Sequence, residues 1–507
     1  MADRPVLILG AGIAGLWTAL KLAPRPVTLV TGSPLGSGAA TGWAQGGIAA
    51  ALGEDDSPAL HVKDTLAAGD GLTCVRAAGL LASGIAEEVA ALRALGVPFD
   101  TDAKGRLTQG LEAAHSRPRI AHVSGDRAGA AILDVLVRAV RAADHITIRE
   151  SWRAVALLPS RDGGCAGALL QGPDGQTEPA EANDTVLAMG GAGGLWDVST
   201  SPAGALGQAI AMAARIGAEI ADPEFVQFHP TAMDLGRDPA PLATEALRGA
   251  GAVLIDRDGR RLMDGVHDAL DLAPRDIVAR TVHRARQTGR KAFLDARGAV
   301  GDTFPERFPT VFAACAESGL DPRTTPIPVA PAAHYHLGGV FTGMDGETSL
   351  PGLWAVGECA ANGLHGANRL ASNSLAEGLV FGARVAHAIR MHPGPDRIAL
   401  RAEAAPVLPP LALTRLRQAM GAECGVERTG AGLERLRGIL DGLAARYGEA
   451  DPLLAARFVV TGALRRQESR GSHWRLDYPA KAESARHTRL ALEDLDAPAN
   501  TTEARPA

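Results

Sequence analysis

The chain has 507 residues, too many for one hydrophobic core, so two or three domains are expected. Its 46% hydrophobic and 21% charged residues are those of an ordinary soluble enzyme, and a net charge of −6 argues against broad binding to nucleic acid or an anionic membrane. Cys74, Cys165, Cys315, Cys359 and Cys424 form no CxxC pair, which points to reduced thiols in a cytoplasm and away from a disulfide framework or a metal centre.

The N-terminus enters an apolar strand, Val6 to Leu9, with no leader-like triplet ahead of it. Gly10-Ala11-Gly12-Ile13-Ala14-Gly15 follows and opens an amphipathic helix. Gly10 permits the tight turn, Gly12 lets the backbone approach a pyrophosphate, and Gly15 lets the helix pack on the strand. The phosphates then meet free N–H groups at the positive end of the helix dipole. Between strand and helix at the chain start, this pattern indicates a bound dinucleotide. The second strand, Pro26 to Val30, should end in an acid that holds the adenosine ribose. This chain has Thr31-Gly32-Ser33 instead, leaving the hydroxyls of Thr31 or Ser33 for a weaker contact.

Further along, a strand from Thr185 runs into Gly190-Gly191, and a strand from Leu353 to Val356 ends in Gly357-Glu358. These two units favour a flavin dinucleotide over nicotinamide, with Glu358 on the ribityl chain or ribose; a solvated strand-end carboxylate is the plain alternative. Arg369 lies in a Gly-rich turn ahead of a helix from Leu375 to Ile389. Beyond residues 391–396 the composition shifts. Leu411, Leu413 and Leu416 begin one helical stripe, and Leu433, Leu436, Leu440 and Leu443 form another, so a C-terminal helical bundle is expected. Residues 496–507 read as a disordered tail. No segment reaches the roughly 18 uninterrupted apolar residues of a membrane span.

Seven segments then occur in a telling order: ATGWAQGGIAAAL (40–52), FVQFHPTAM (225–233), TEALRGAGA (244–252), APRDIVAR (273–280), PAAHYHLGGV (331–340), LHGANRLASNSL (364–375) and RRQESRGSHWRLDYP (465–479). Together they resemble the flavoprotein family of succinate dehydrogenase, fumarate reductase and L-aspartate oxidase, over nearly the whole chain. The resemblance implies FAD on Ala44, Gln45, Gly46 and Gly47 near the reactive edge, and on Asn373, Ser374 and Leu375 at the pyrimidine end. It implies a dicarboxylate held by Arg369, His334, His229 and Thr244, with Gln227 a weaker candidate. Arg275 would move protons at the substrate, with Glu245 and Arg248 as relay members, or act only as an anion clamp. His336 reads as structural and Arg248 as a supporting charge. His473 and Arg470 would fasten the helical part to the flavin part.

Three features separate the branches of this family. Ala40 stands where respiratory members tie FAD covalently to a histidine, so the flavin should be non-covalent. The arginine loop reads Asn368-Arg369-Leu-Ala-Ser-Asn373-Ser374, as in the aspartate-oxidising branch. Glu112, in LEAAHSRPRIAH (111–122), matches a glutamate that faces the substrate amino group; Ala113-Ala114 replaces a Gly-Gly pair there. A carboxylate beside an ammonium favours aspartate over a plain dicarboxylate. The expectation is therefore oxidation of L-aspartate to iminoaspartate with oxygen or fumarate as acceptor, and a transient contact with quinolinate synthase. A soluble fumarate reductase or succinate dehydrogenase flavoprotein is the alternative; a flavin-binding scaffold would not need an Arg and a His at every clamp.

The expected fold is α/β. Residues 1–222 and 336–398 form a doubly wound, Rossmann-like FAD domain, 223–335 an inserted α+β capping domain, and 399–507 the helical domain with its tail.

Overall fold

The computed structural model describes residues 4–497. The strand Val6–Leu9 sits at the centre of a five-stranded parallel sheet in the order 353–355, 185–187, 6–9, 27–31, 146–150. All four of its residues are buried, as a strand covered on both faces requires. Gly10 follows at φ 114°, and a Cβ there would meet the Ala188 carbonyl oxygen at 2.1 Å. Only glycine fits. The helix Ile13–Lys21 packs along the helix Asn373–Met391, where Gly378 and Gly382 allow the two backbones to approach closely.

A second, antiparallel sheet forms the cap. Its order is 226–233, 327–336, 293–295, 253–255, backed by the helix Arg275–Gln287. The Asp126 carboxylate ties this sheet's layer to the half built on the parallel sheet by accepting from the N–H groups of Thr310 (3.1 Å) and Val311 (3.2 Å) at the start of the helix Pro309–Glu317.

The C-terminal part departs from a plain bundle. Three helices, Pro410–Glu423, Gly430–Tyr447 and Asp451–Arg465, pack together with Trp196, Phe228 and Ala333, so they touch both other layers. The chain then returns as a short strand, Arg489–Leu490, which pairs with Ile220–Ala221 at the entry to the cap. The stripe expected from Leu411 is also corrected: Leu411 is 86% exposed, and the buried face is Ala412, Leu416 and Met420, spaced by four. Five residues span about 500°, so Leu411 and Leu416 cannot share one face. Leu433, Leu436, Leu440 and Leu443 are all buried as expected. Most of the expected tail, residues 498–507, lies outside the described part. Among the described residues no helix is long and apolar enough to cross a membrane.

Candidate active site

One cavity of 1420 Å³ runs from the ends of the parallel strands to the inner face of the cap. All the cofactor residues expected from sequence line it except Gly15 and Asn373. Gly15 instead permits packing: a Cβ there would meet the Gly10 carbonyl oxygen at 2.1 Å. Asn373, the first residue of its helix, turns its amide away from the cavity. Its Oδ1 pairs with His61 Nε2 at 2.8 Å, and its Nδ2 donates to Thr65 Oγ1 at 3.1 Å. Thr31 does line the cavity, but its hydroxyl donates to the Ser33 carbonyl at 3.1 Å, so the expected ribose contact is weakened.

The cavity suits a dinucleotide. Gly10, Gly12 and Gly190 line it, Gly12 at the N-terminus of the helix Ile13–Lys21, and a Cβ on Gly190 would meet nothing within 4 Å. Thr41, missed in the sequence although it lies in a quoted motif, accepts from the Ile13 N–H at 2.9 Å. Gln45 Oε1 is buried without a partner, an acceptor for a ligand donor. Glu358 accepts from the His336 N–H at 2.9 Å, and burial pushes its carboxyl up to about 7. His336 itself is structural, with Nε2 2.9 Å from the Pro223 carbonyl.

At the cap end, Glu112, His229, Thr244, Glu245, Arg275, His334 and Arg369 converge on the cavity. His229 and His334 come from neighbouring strands whose register slips around Gln227–Phe228 and again after His229. Bulges of this kind re-aim side chains, and the two rings meet edge to face with centroids 5.0 Å apart. Burial, helped by the Arg275 charge, holds both rings well below the usual histidine range and therefore neutral. The Thr231 N–H donates to His229 Nδ1 at 3.2 Å, so the ring hydrogen is assigned to Nε2, a donor.

Arg275 begins its helix and donates to Glu245 from Nε at 2.8 Å; Arg248 donates to the other Glu245 oxygen at 2.9 Å. Burial opposes ionisation of Glu245, but Arg275 and Arg248 together hold its carboxyl below the ordinary value. Arg369 lies over the Tyr335 ring at 4.7 Å, and its Nε is buried without a partner. Burial, with the Arg275 charge, lowers it to about 10, still fully cationic at neutral pH.

Gln227 does not line the cavity. Its Oε1 accepts from Arg275 Nη1 at 2.8 Å and from Arg369 Nη2 at 3.0 Å, so it spaces the two guanidinium groups from behind. A solitary exposed acid was the plain reading of Glu112, yet it is only 4% exposed. Burial and the Glu245 charge raise its carboxyl, while a 2.7 Å hydrogen bond from Ser372 opposes the rise. Ser372 and Tyr335 were also missed; both lie inside quoted motifs, without a residue type that signals chemistry by itself.

Comparison with known proteins bears on the same residues. A family model described as an FAD binding domain matches residues 5–375, and one described as the fumarate reductase flavoprotein C-terminus matches residues 449–504. An L-aspartate oxidase of Caulobacter vibrioides is 52% identical, covering 94% of each chain. One of Agrobacterium fabrum is 47% identical over 96% of this chain and 94% of its own. Among solved structures, an E. coli quinol fumarate reductase superposes with TM-score 0.89 at 27% identity, over 96% of this chain and 94% of that one. The chain therefore belongs to the FAD-binding flavoprotein family of the L-aspartate oxidases and fumarate reductases.

Proposed function

We propose that this chain oxidises L-aspartate to iminoaspartate, the opening step of quinolinate and NAD synthesis. The observation that carries this reading is Glu112, a buried carboxylate beside a cavity otherwise ringed by Arg275, Arg369 and two neutral histidines. Two cationic clamps suit the two substrate carboxylates, and Glu112 suits the ammonium that only an amino acid brings. Arg369 and Arg275 offer planar forks; His229 Nε2–H and the Thr244 hydroxyl add neutral donors. Bound FAD would supply the two-electron acceptor for the α-hydrogen, with oxygen (to hydrogen peroxide) or fumarate (to succinate) as final acceptor.

The chain's own part is positioning, exclusion of water and proton handling. Closure of the cap strands over the cavity removes water from around the charges and strengthens each of them. When fumarate is the acceptor, Arg275 is the group proposed to deliver a proton to the substrate carbon, refilled through Glu245, which it touches. Ala40, in the turn Ala40–Trp43, offers no atom for a covalent link, so FAD is held non-covalently. Because iminoaspartate is short-lived in water, a transient hand-over to quinolinate synthase belongs to the same reading.

The test is anaerobic bleaching of the visible flavin band in the FAD-loaded protein. L-Aspartate should bleach it rapidly and succinate should not. Bleaching by succinate alone would overturn the reading and make the chain a fumarate reductase-type flavoprotein.

A further inference from the structure

Ser372 precedes the helix Asn373–Met391 in the left-handed region, at φ 60° and ψ 7°, which a residue with a Cβ seldom adopts. Its side chain lines the cavity. The hydroxyl donates to Glu112 Oε2 at 2.7 Å and accepts from the Gly47 N–H at 3.4 Å. Its carbonyl accepts from the Ala49 N–H at 3.1 Å. Among the described residues, Ser372 is the sole side chain hydrogen-bonded to the Glu112 carboxylate. The other carboxylate oxygen lies against Gly46, 3.0 Å from where a Cβ would stand. One strained serine thus holds Oε2 of the acid and joins it to the Gly47 backbone, while Gly46 makes room for the other oxygen.

Resting on the reading of Glu112 as the ammonium partner, we propose that Ser372 is a positioning residue that sets specificity for the amino group by fixing the Glu112 carboxylate where an ammonium would meet it. Strain at a buried, polar, cavity-lining position is the kind that function retains, since glycine would adopt the same backbone more easily. The hydroxyl hydrogen bond favours the ionised acid, and ionised is the form that binds ammonium.

Ser372→Ala keeps the strain and removes the hydroxyl; Ser372→Gly removes both. Each variant should lower the ratio of kcat/KM for L-aspartate to that for fumarate about tenfold, the effect of losing one hydrogen bond to a charged group. The acid limb of the aspartate pH profile should move to higher pH in both. In a Glu112→Gln background, Ser372→Ala should add little, because its partner is already gone. An unchanged ratio, a loss in the alanine variant alone, or full additivity with Glu112→Gln would overturn the inference while leaving the aspartate reading intact. A wild-type chain that reduces fumarate but does not oxidise L-aspartate would refute that reading, and this inference with it.

Discussion

Replacing Gln227 by leucine tests whether the two arginines act as a preset clamp. The amide oxygen accepts from Arg275 at 2.8 Å and Arg369 at 3.0 Å, and its nitrogen donates to Asn368 Oδ1 and the Arg369 carbonyl, both at 2.8 Å. All these groups are buried. Leucine keeps most of the volume but strands two guanidinium N–H groups, each at a cost of about 1–3 kcal/mol. It also deletes the dipole between two like charges. Substrate carboxylates can recover part of the lost pairing, so the net loss should be about 3 kcal/mol, or roughly 150-fold in kcat/KM. The assay is steady-state kcat/KM for both L-aspartate oxidation and fumarate reduction, with flavin content and melting temperature checked on the same samples. Both activities should fall together, because the carboxylates are what the substrates share. Retention of either within fivefold, or a loss confined to aspartate, would refute the bridging role.

Glu112→Gln should cut kcat/KM for L-aspartate by about 2–3 kcal/mol, roughly 30- to 150-fold, and fall far less for fumarate; steady-state kinetics with both substrates checks this. The raised Glu112 carboxyl sets opposite pH trends above the ordinary glutamate value of about 4.3: aspartate kcat/KM should rise as the acid ionises, and fumarate kcat/KM should fall over the same window, with both limbs absent in Glu112→Gln. Asn373→Ala should lower unfolding free energy by about 2 kcal/mol in denaturant titration, through its lost His61 and Thr65 bonds, while FAD affinity changes less than threefold. The Asp222 carboxylate raises the His487 imidazole. That contribution to stability is complete below about pH 6.5 and drains as pH rises through the folded value, so Asp222→Asn should flatten the melting-temperature profile across this window.

The parallel sheet and the nucleotide turn were legible because glycine spacing and apolar runs are local signals: Gly10 and Gly12 carry their reason within a few residues. Arg369, Arg275 and both histidines, singled out through the motifs that hold them, line the cavity. Gln227 and Asn373 were found through their motifs, and the structure turns each amide to protein groups. Each belongs to a motif around the cavity, yet the direction of its amide depends on remote partners, Arg275 in one case and His61 in the other. Sequence cannot rank a ligand against a buried protein group as the partner of an amide. Leu411 failed for a simpler reason, a spacing of five read as one face. Ser372 carried no signal, since its left-handed backbone is set by the joint between the arginine loop and the helix.

On the proposed function, the charges around the clamp would let one acid serve two reactions. Three buried guanidinium groups, Arg248, Arg275 and Arg369, stand with Glu245, and both histidines are neutral. Aspartate brings two carboxylates and one ammonium, and on the proposed function an ionised Glu112 would complete the pairing of the ammonium. Fumarate brings two carboxylates alone, so an ionised Glu112 would face them without compensation. Burial and the nearby Glu245 charge raise the Glu112 carboxyl, which makes taking up a proton the inexpensive response. A fully exposed acid would stay charged for both substrates; a glutamine would be neutral for both. On the proposed function, a buried acid with one hydrogen-bond donor would adjust its charge to the ligand, and that adjustment would let the same clamp accept an amino acid as reductant and fumarate as oxidant.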